Sequence, residues 1–212
     1  VPAAGIGQRM AAGIPKQYLE IDGRSILQHT LERLAAHARL EKIVVAVAAH
    51  DQRYVALKSL LPAKCEDVVG GAERCHSVLA GLRHLAPVAG VDDWVLVHDA
   101  ARPCVRLADI DNMLTQLDAS TSGGILGVPV RDTLKRVDQN NRVTATADRS
   151  ALWHALTPQI FRLGALIEAI EAALSDGDIV TDEAQAMERH GHAPRIIAGH
   201  SDNLKITHPE DL

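Results

Sequence analysis

Short apolar runs of strand length alternate along this chain with longer amphipathic runs of helix length, and that exchange restricts the fold more than any other feature. Ile43-Val44-Val45-Ala46-Val47 is a continuous apolar run, rich in β-branched residues and too short for a helix, so it predicts a strand buried on both faces. Further strands are expected at 66–69, 94–99, 124–130 and 195–198. Helices are expected at 25–38, 51–61, 75–85, 107–117, 163–175 and 181–189. Strands linked through helices pair in parallel, and each linking helix covers a face. The expectation is an α/β chain with a mostly parallel twisted sheet flanked by helices. Its 212 residues make one domain, 1–212.

Residues 132–147 break this rhythm. They are polar and alternating, with Gln139-Asn140-Asn141 placed to turn a hairpin. They predict a protruding β-arm, 132–150 with its flank. An isolated hairpin is marginal in water, so the arm either packs on a second copy of the chain, giving a homodimer, or stands as a solvated surface hairpin. Near the end, 208–212 reads as the start of a helix. The opening Val1-Pro2-Ala3-Ala4-Gly5 reads as the end of a strand, with the expectation that part of the natural N-terminus is absent.

A net charge of −5 and an aromatic content of 2% argue against nucleic-acid binding, which needs a basic face or flat side chains for stacking. No apolar run reaches the roughly 20 residues of a membrane helix, so no membrane partner is expected. Cys65, Cys75 and Cys104 are an odd set without C-x-x-C spacing, which fits a reducing compartment. They are expected to be buried small hydrophobes. The expected location is the cytoplasm, or a plastid if a transit peptide preceded Val1.

Pro2-Ala3-Ala4-Gly5-Ile6-Gly7-Gln8-Arg9-Met10 offers small residues where backbone N–H groups approach an anion unobstructed. Pro2, Ala3, Ala4, Gly5 and Gly7 are therefore candidate nucleotide-binding positions. A dinucleotide fingerprint is disfavoured, because Met10 stands where its third glycine belongs. Arg9 and Lys16 bring two cations to this loop. Together they suit a leaving pyrophosphate; taken singly, each reads as a solvated surface charge.

Val95-Leu96-Val97-His98-Asp99-Ala100-Ala101-Arg102-Pro103 ends a buried strand at the edge where ligands sit in open α/β sheets. Asp99 there holds Mg²⁺ or a hydroxyl, or else caps the following turn. Arg102 pairs with Asp99 or with a phosphate. His98 reads as a structural histidine rather than a base.

At this point the sequence resembles the 2-C-methyl-D-erythritol 4-phosphate cytidylyltransferases of the non-mevalonate isoprenoid pathway. The resemblance rests on motifs in the family's order: residues 2–10, Pro15-Lys16-Gln17-Tyr18, Gly70-Gly71-Ala72-Glu73-Arg74 with Ser77, residues 98–103, Asp148-Arg149 with Leu152-Trp153, residues 155–159, Thr181-Asp182-Glu183-Ala184, and residues 203–207. It implies a Rossmann-like nucleotidyltransferase fold, a homodimer held through the arm, and a CTP- and Mg²⁺-dependent reaction on a sugar-alcohol phosphate. It assigns Arg9 and Lys16 to the α-phosphate, Gly71, Ala72 and Ser77 to cytosine, and Asp99 and Ala100 to the ribose and metal side. Thr133, Arg149, Thr157 and Lys205 match positions that hold or orient the methylerythritol phosphate, with Arg149 and Lys205 joining the catalytic set and Arg102 the acceptor contacts. Gln8 and Ala72 depart from relatives that carry arginine and aspartate there. Two rival readings are a CDP-ribitol-forming cytidylyltransferase and a non-catalytic nucleotide-sensing domain.

Overall fold

Local signals fix most element boundaries in the computed structural model, which describes residues 1–5, 14–117 and 121–212. The hairpin β1 (Glu20–Ile21) and β2 (Arg24–Ser25) leads into α1 (Ile26–Ala35). Ser25 caps α1, its side chain accepting the Gln28 N–H, so the helix starts where sequence placed it. After β3 (Ile43–Val47), Asp51 caps α2 (Gln52–Leu57) by accepting the N–H groups of Arg53 and Tyr54. Instead of one helix to residue 61, α2 gives way to a 3₁₀ turn, Lys58–Leu60, ahead of Pro62. The chain continues through β4 (Cys65–Val69), α3 (Arg74–Leu85), β5 (Trp94–Val97), α4 (Leu107–Gln116), β6 (Gly124–Pro129), β7 (Lys135–Val137), β8 (Val143–Thr146), β9 (Trp153–Arg162), α5 (Leu163–Ser175), α6 (Glu183–Arg189) and β10 (Arg195–Ala198).

The α/β class is as expected, but the sheet is mixed rather than mostly parallel. Four strands run in the order β10-β6-β9-β5, with β10 parallel to β6 and β9 antiparallel to both its neighbours. Strands β3 and β4 pair in parallel, and Pro2 bridges Ala46 in parallel. Strand β9 (Trp153–Arg162) was not among the expected strands, and its Pro158 cannot donate to a ladder. The structure accommodates it at a bulge: Ile125 faces Gln159 while Gly127 faces Ala155, so β9 carries two extra residues. That bulge sets Thr157 beside the end of β5.

Alternate strand residues enter different apolar clusters, so both sheet faces are covered. Phe161, Val95 and Val97 pack with α3, α5 and α6, joining Leu79, Leu166 and Met187. Ile160 and Leu126 turn the other way, onto Met113 of α4 and Ile197 of β10. Val45 and Val47 pack against Leu27 and Leu31 of α1 and Ile110 of α4. The carboxyl end of β5 emerges between these layers, which puts Asp99 at the rim of the core.

Strands β7 and β8 form the expected arm, antiparallel and exposed along both strands. Its turn is fixed by the Asp138 carboxylate, which accepts the N–H groups of Asn140 and Arg142, with Asn141 at φ 59°. The cysteine expectation needs correction: Cys75 is buried, Cys65 is half-buried and Cys104 is exposed. Cys104 follows Pro103 in the turn leaving β5, where backbone geometry rather than side-chain hydrophobicity decides exposure. No helix among the described residues is long and apolar enough to cross a membrane.

Candidate active site

Three segments distant in sequence are stitched together at the carboxyl end of β5. The first is the front of the chain. Ala3 N–H donates to the Ala46 carbonyl at 2.7 Å, continuing the edge of β3. The buried Gln17 amide donates to the carbonyls of Ala3 and Gly5 at 2.7 and 2.9 Å, tying the 3₁₀ turn Lys16–Tyr18 back onto residues 3–5. Lys16 Nζ donates to the Ile206 carbonyl at 3.0 Å, beside Lys205. Pro2, Ala3, Ala4, Gly5 and Lys16 thus share one neighbourhood, while Gly7 and Arg9 lie outside the described residues.

The second segment is the loop between β4 and α3. Gly70 N–H donates to the Val47 carbonyl at 2.7 Å. A Cβ on Gly70 would stand 2.7 Å from Ser77 Oγ and 2.8 Å from Ala4 Cβ, so only glycine lets this loop lie against the front segment. Ser77 is buried, and its Oγ accepts the Gly71 N–H at 3.2 Å. Gly71 and Ala72 are exposed.

The third segment centres on Asp99, a carboxylate 7% exposed and met by three cations. Arg74 Nε donates to one oxygen at 3.3 Å; Lys205 Nζ at 2.9 Å and Arg102 Nε at 3.4 Å meet the other. Burial alone would raise the Asp99 pKa, but the charges of Arg74, Lys205 and Arg102 outweigh it and hold the group well below the usual carboxylate range. Asp99 is therefore an anion at every working pH.

Behind the carboxylate, Asp99 N–H donates to Thr157 Oγ1 at 3.1 Å, and Thr157 Oγ1 lies 3.0 Å from His98 Nδ1. His98 Nε2 faces the Arg102 carbonyl at 2.9 Å, so Nε2 carries the proton and Nδ1 accepts from the Thr157 hydroxyl. Burial pushes the His98 pKa down to about 4. It is a neutral structural histidine, as its sequence context indicated. Thr157 is itself buried. Asn203 donates from Nδ2 to the Thr157 carbonyl at 2.7 Å and accepts Arg102 Nη1 on its own carbonyl at 2.7 Å, which anchors the segment bearing Lys205.

Lys16, Asp99, Ala100, Arg102, Thr157 and Lys205 are therefore brought together. Ala100 is buried, its carbonyl accepting the Thr30 hydroxyl at 2.9 Å. Thr133 and Arg149 are not part of this group: both are exposed, at the base of the arm and just beyond it, and among the described residues neither side chain is bonded to the Asp99 cluster. The sequence reading assigned no role to Arg74, Glu183, Gln17 or Asn203, although all four fall inside the motifs it quoted. Each reads in sequence as one more polar residue of its motif, and nothing in the sequence marks Gln17, Glu183 and Asn203 as buried.

No group of three or more His, Cys, Asp or Glu side chains able to hold a metal occurs among the described residues. Asp99 alone fits Mg²⁺, in the mode where one carboxylate and substrate phosphates share the ion, and its permanent negative charge suits that task. A cavity of about 580 Å³ lies elsewhere, between β3 and β5, and shares only Pro2 and Ser77 with the candidate residues. Its lining is mainly apolar, whereas the groups around Asp99 are cationic.

The sequence model of the 2-C-methyl-D-erythritol 4-phosphate cytidylyltransferase family matches residues 1–212. A relative of that name from Vibrio parahaemolyticus is 50% identical over 212 residues, covering 100% of this chain and 90% of the relative. Another, from Pseudomonas fluorescens, is 53% identical over 213 residues, covering 100% of this chain and 91% of the relative. The crystal structure of the Francisella tularensis 2-C-methyl-D-erythritol 4-phosphate cytidylyltransferase aligns with TM-score 0.83 at 37% identity, over 99% of this chain and 93% of that one. A structure titled 4-diphosphocytidyl-2C-methyl-D-erythritol synthase aligns with TM-score 0.85 at 38% identity, over 93% and 89%. With a match over its whole length, the chain belongs to the 2-C-methyl-D-erythritol 4-phosphate cytidylyltransferase family.

Proposed function

We infer that the chain transfers the cytidylyl group of CTP to 2-C-methyl-D-erythritol 4-phosphate, giving 4-diphosphocytidyl-2-C-methyl-D-erythritol and pyrophosphate. An oxygen of the acceptor phosphate attacks the α-phosphorus, the bond from that phosphorus to the β-phosphate oxygen breaks, and pyrophosphate leaves with the bonding electrons. A phosphate monoester is largely dianionic at neutral pH, so its oxygen needs no general base. The barrier is the approach of one polyanion to another.

The observation that carries this reading is the convergence of Arg74, Arg102 and Lys205 on Asp99, with Lys16 Nζ on the neighbouring Ile206 carbonyl. Such cations lower the barrier by charge screening and alignment rather than by proton transfer. Lys16 and Arg9 meet the charge that builds on the α-phosphate and the leaving group; Lys205, Arg102 and Thr157 hold the acceptor phosphate and polyol. The backbone at 70–72 with Ser77 reads cytosine, and Asp99 with Ala100 faces the ribose. Asp99 is the residue that would hold Mg²⁺ beside the triphosphate, and the ion would supply further charge screening there. Thr133 and Arg149 enter from the arm, and the exposure of both supports their serving a second copy's site in a homodimer. The bacterial relatives support a cytoplasmic location.

The test is pyrophosphate release from CTP and Mg²⁺ with methylerythritol phosphate, with ribitol 5-phosphate, and with no acceptor. Release dependent on methylerythritol phosphate is expected. Preference for ribitol phosphate would make the chain the ribitol enzyme, and CTP binding without release would make it a sensor.

A further inference from the structure

Glu183 has no place in the chemistry above, yet its carboxylate is 2% exposed. Isolating a carboxylate from water is costly unless it is paired, so its position needs a reason. Helix capping is not that reason. The Asp182 side chain accepts the Gln185 N–H, and the Gln159 amide oxygen accepts the Ala184 N–H, so the start of α6 is served without Glu183. The bonds of Glu183 go to Arg74: Nη1 to Oε1 at 2.6 Å and Nη2 to Oε2 at 3.0 Å, a two-pronged clamp.

Arg74 is the first residue of α3, directly after the loop assigned to cytosine, and its remaining edge reaches Asp99 through Nε at 3.3 Å. Burial pushes the Glu183 pKa up, and the guanidinium opposes that. The chain Glu183–Arg74–Asp99 therefore joins α6, the nucleotide loop and the strand-end carboxylate.

We propose that Glu183 is a positioning residue for the nucleotide half of the site: by clamping the tip of Arg74 it limits that guanidinium to one edge-on contact with Asp99 and fixes the 70–73 loop. Without the clamp, Arg74 no longer ties α6 to the start of α3, and the 70–73 loop loses the tether that holds its backbone in place. The proposal rests on the assignment of Asp99 and the 70–73 loop to CTP.

The experiment compares wild type, Glu183→Gln and the double variant Arg74→Gln/Glu183→Gln by calorimetric binding of CTP with Mg²⁺, by the two KM values and by Tm. Glu183→Gln is expected to weaken CTP binding and raise the CTP KM about 10-fold, the scale of one charge-assisted hydrogen bond, with the acceptor KM within about 2-fold. Its Tm falls because the Arg74 charge loses its two-pronged partner and keeps only the longer contact with Asp99. In the double variant both charges are gone, so Tm recovers towards wild type while CTP binding stays weak. Recovery of CTP affinity together with Tm would overturn the proposal, as would wild-type CTP affinity in Glu183→Gln. If the single variant does not fold, the double variant alone decides, by the same criterion. Wild-type protein that releases no pyrophosphate with any acceptor would instead overturn the functional assignment itself.

Discussion

Thr157 has one hydroxyl proton, and it goes to His98; its oxygen then accepts the Asp99 N–H. The arrangement requires a neutral His98, whose pKa is pushed down to about 4 by burial. A group depressed in the folded state binds fewer protons there than in the unfolded chain, where a histidine titrates near about 6.5. Its contribution to stability is full above that value and is lost as pH falls towards 4, up to about 3 kcal/mol. Thermal melts of wild type and His98→Gln between pH 7 and pH 4 check this: the wild-type Tm is expected to fall more steeply. Parallel slopes would remove the argument. Asp99 is depressed below this window, and Glu183 shifts in the opposite direction in both proteins, so neither accounts for a difference between them. At Lys16, removal of the amine should lower kcat by about 10²-fold, as for one preorganised transition-state donor, with the CTP KM changed much less. Single-turnover kinetics of Lys16→Ala read this directly, and near-normal kcat would contradict it. Residues whose chemistry is local were legible: Asp99, Arg102 and Lys16 each sit in a distinctive motif. Arg74 and Glu183 were not, because a surface ion pair and a buried one look identical in sequence.

Elements were legible where one signal dominated. The β-branched run 43–47 gave β3, and Ser25, Asp51 and Asp182 cap the helices that follow them. Strand β9 escaped because its central proline contradicts strand pairing until the bulge opposite Ile125 and Gly127 is known. That bulge also explains why Thr157, remote from Asp99 in sequence, sits at its backbone. The loop between β4 and α3 depends on contact rather than propensity, since a Cβ at Gly70 would collide with both Ser77 and Ala4. Gly70→Ala should push this loop off the front segment, raising the CTP KM about 10-fold, with a stability loss of about 1–3 kcal/mol from overpacking. Steady-state kinetics with each substrate varied separately distinguish this from a general loss of active protein. Equal change in both KM values would mean the loop is not the cytosine element.

At the scale of the whole molecule, the arm stands apart from the site that its flanking Arg149 is expected to serve. Its strands expose Val137 and Val143, which face each other across the hairpin, and Trp153 at the start of β9 is also exposed. Mixing Lys16→Ala with Arg149→Ala protein tests whether two copies share sites. Subunit exchange should regenerate some sites with both groups intact and restore about a quarter of wild-type activity, since random pairing of equal amounts makes half the dimers mixed and each mixed dimer has one intact site. No recovery despite confirmed exchange would return Arg149 to its own chain's site. The sequence order of motifs made the reaction legible, while whether two copies share sites was not, because that depends on where the arm lands. The reaction itself is tested most directly with methylerythritol phosphate carrying heavy oxygen in its phosphate, incubated with CTP and Mg²⁺ and followed by mass and phosphorus resonance. Direct attack predicts that the label stays wholly in 4-diphosphocytidyl-2-C-methyl-D-erythritol, with unlabelled pyrophosphate released in equal amount. Labelled pyrophosphate, or release without the labelled diphosphate product, would contradict cytidylyl transfer to this acceptor.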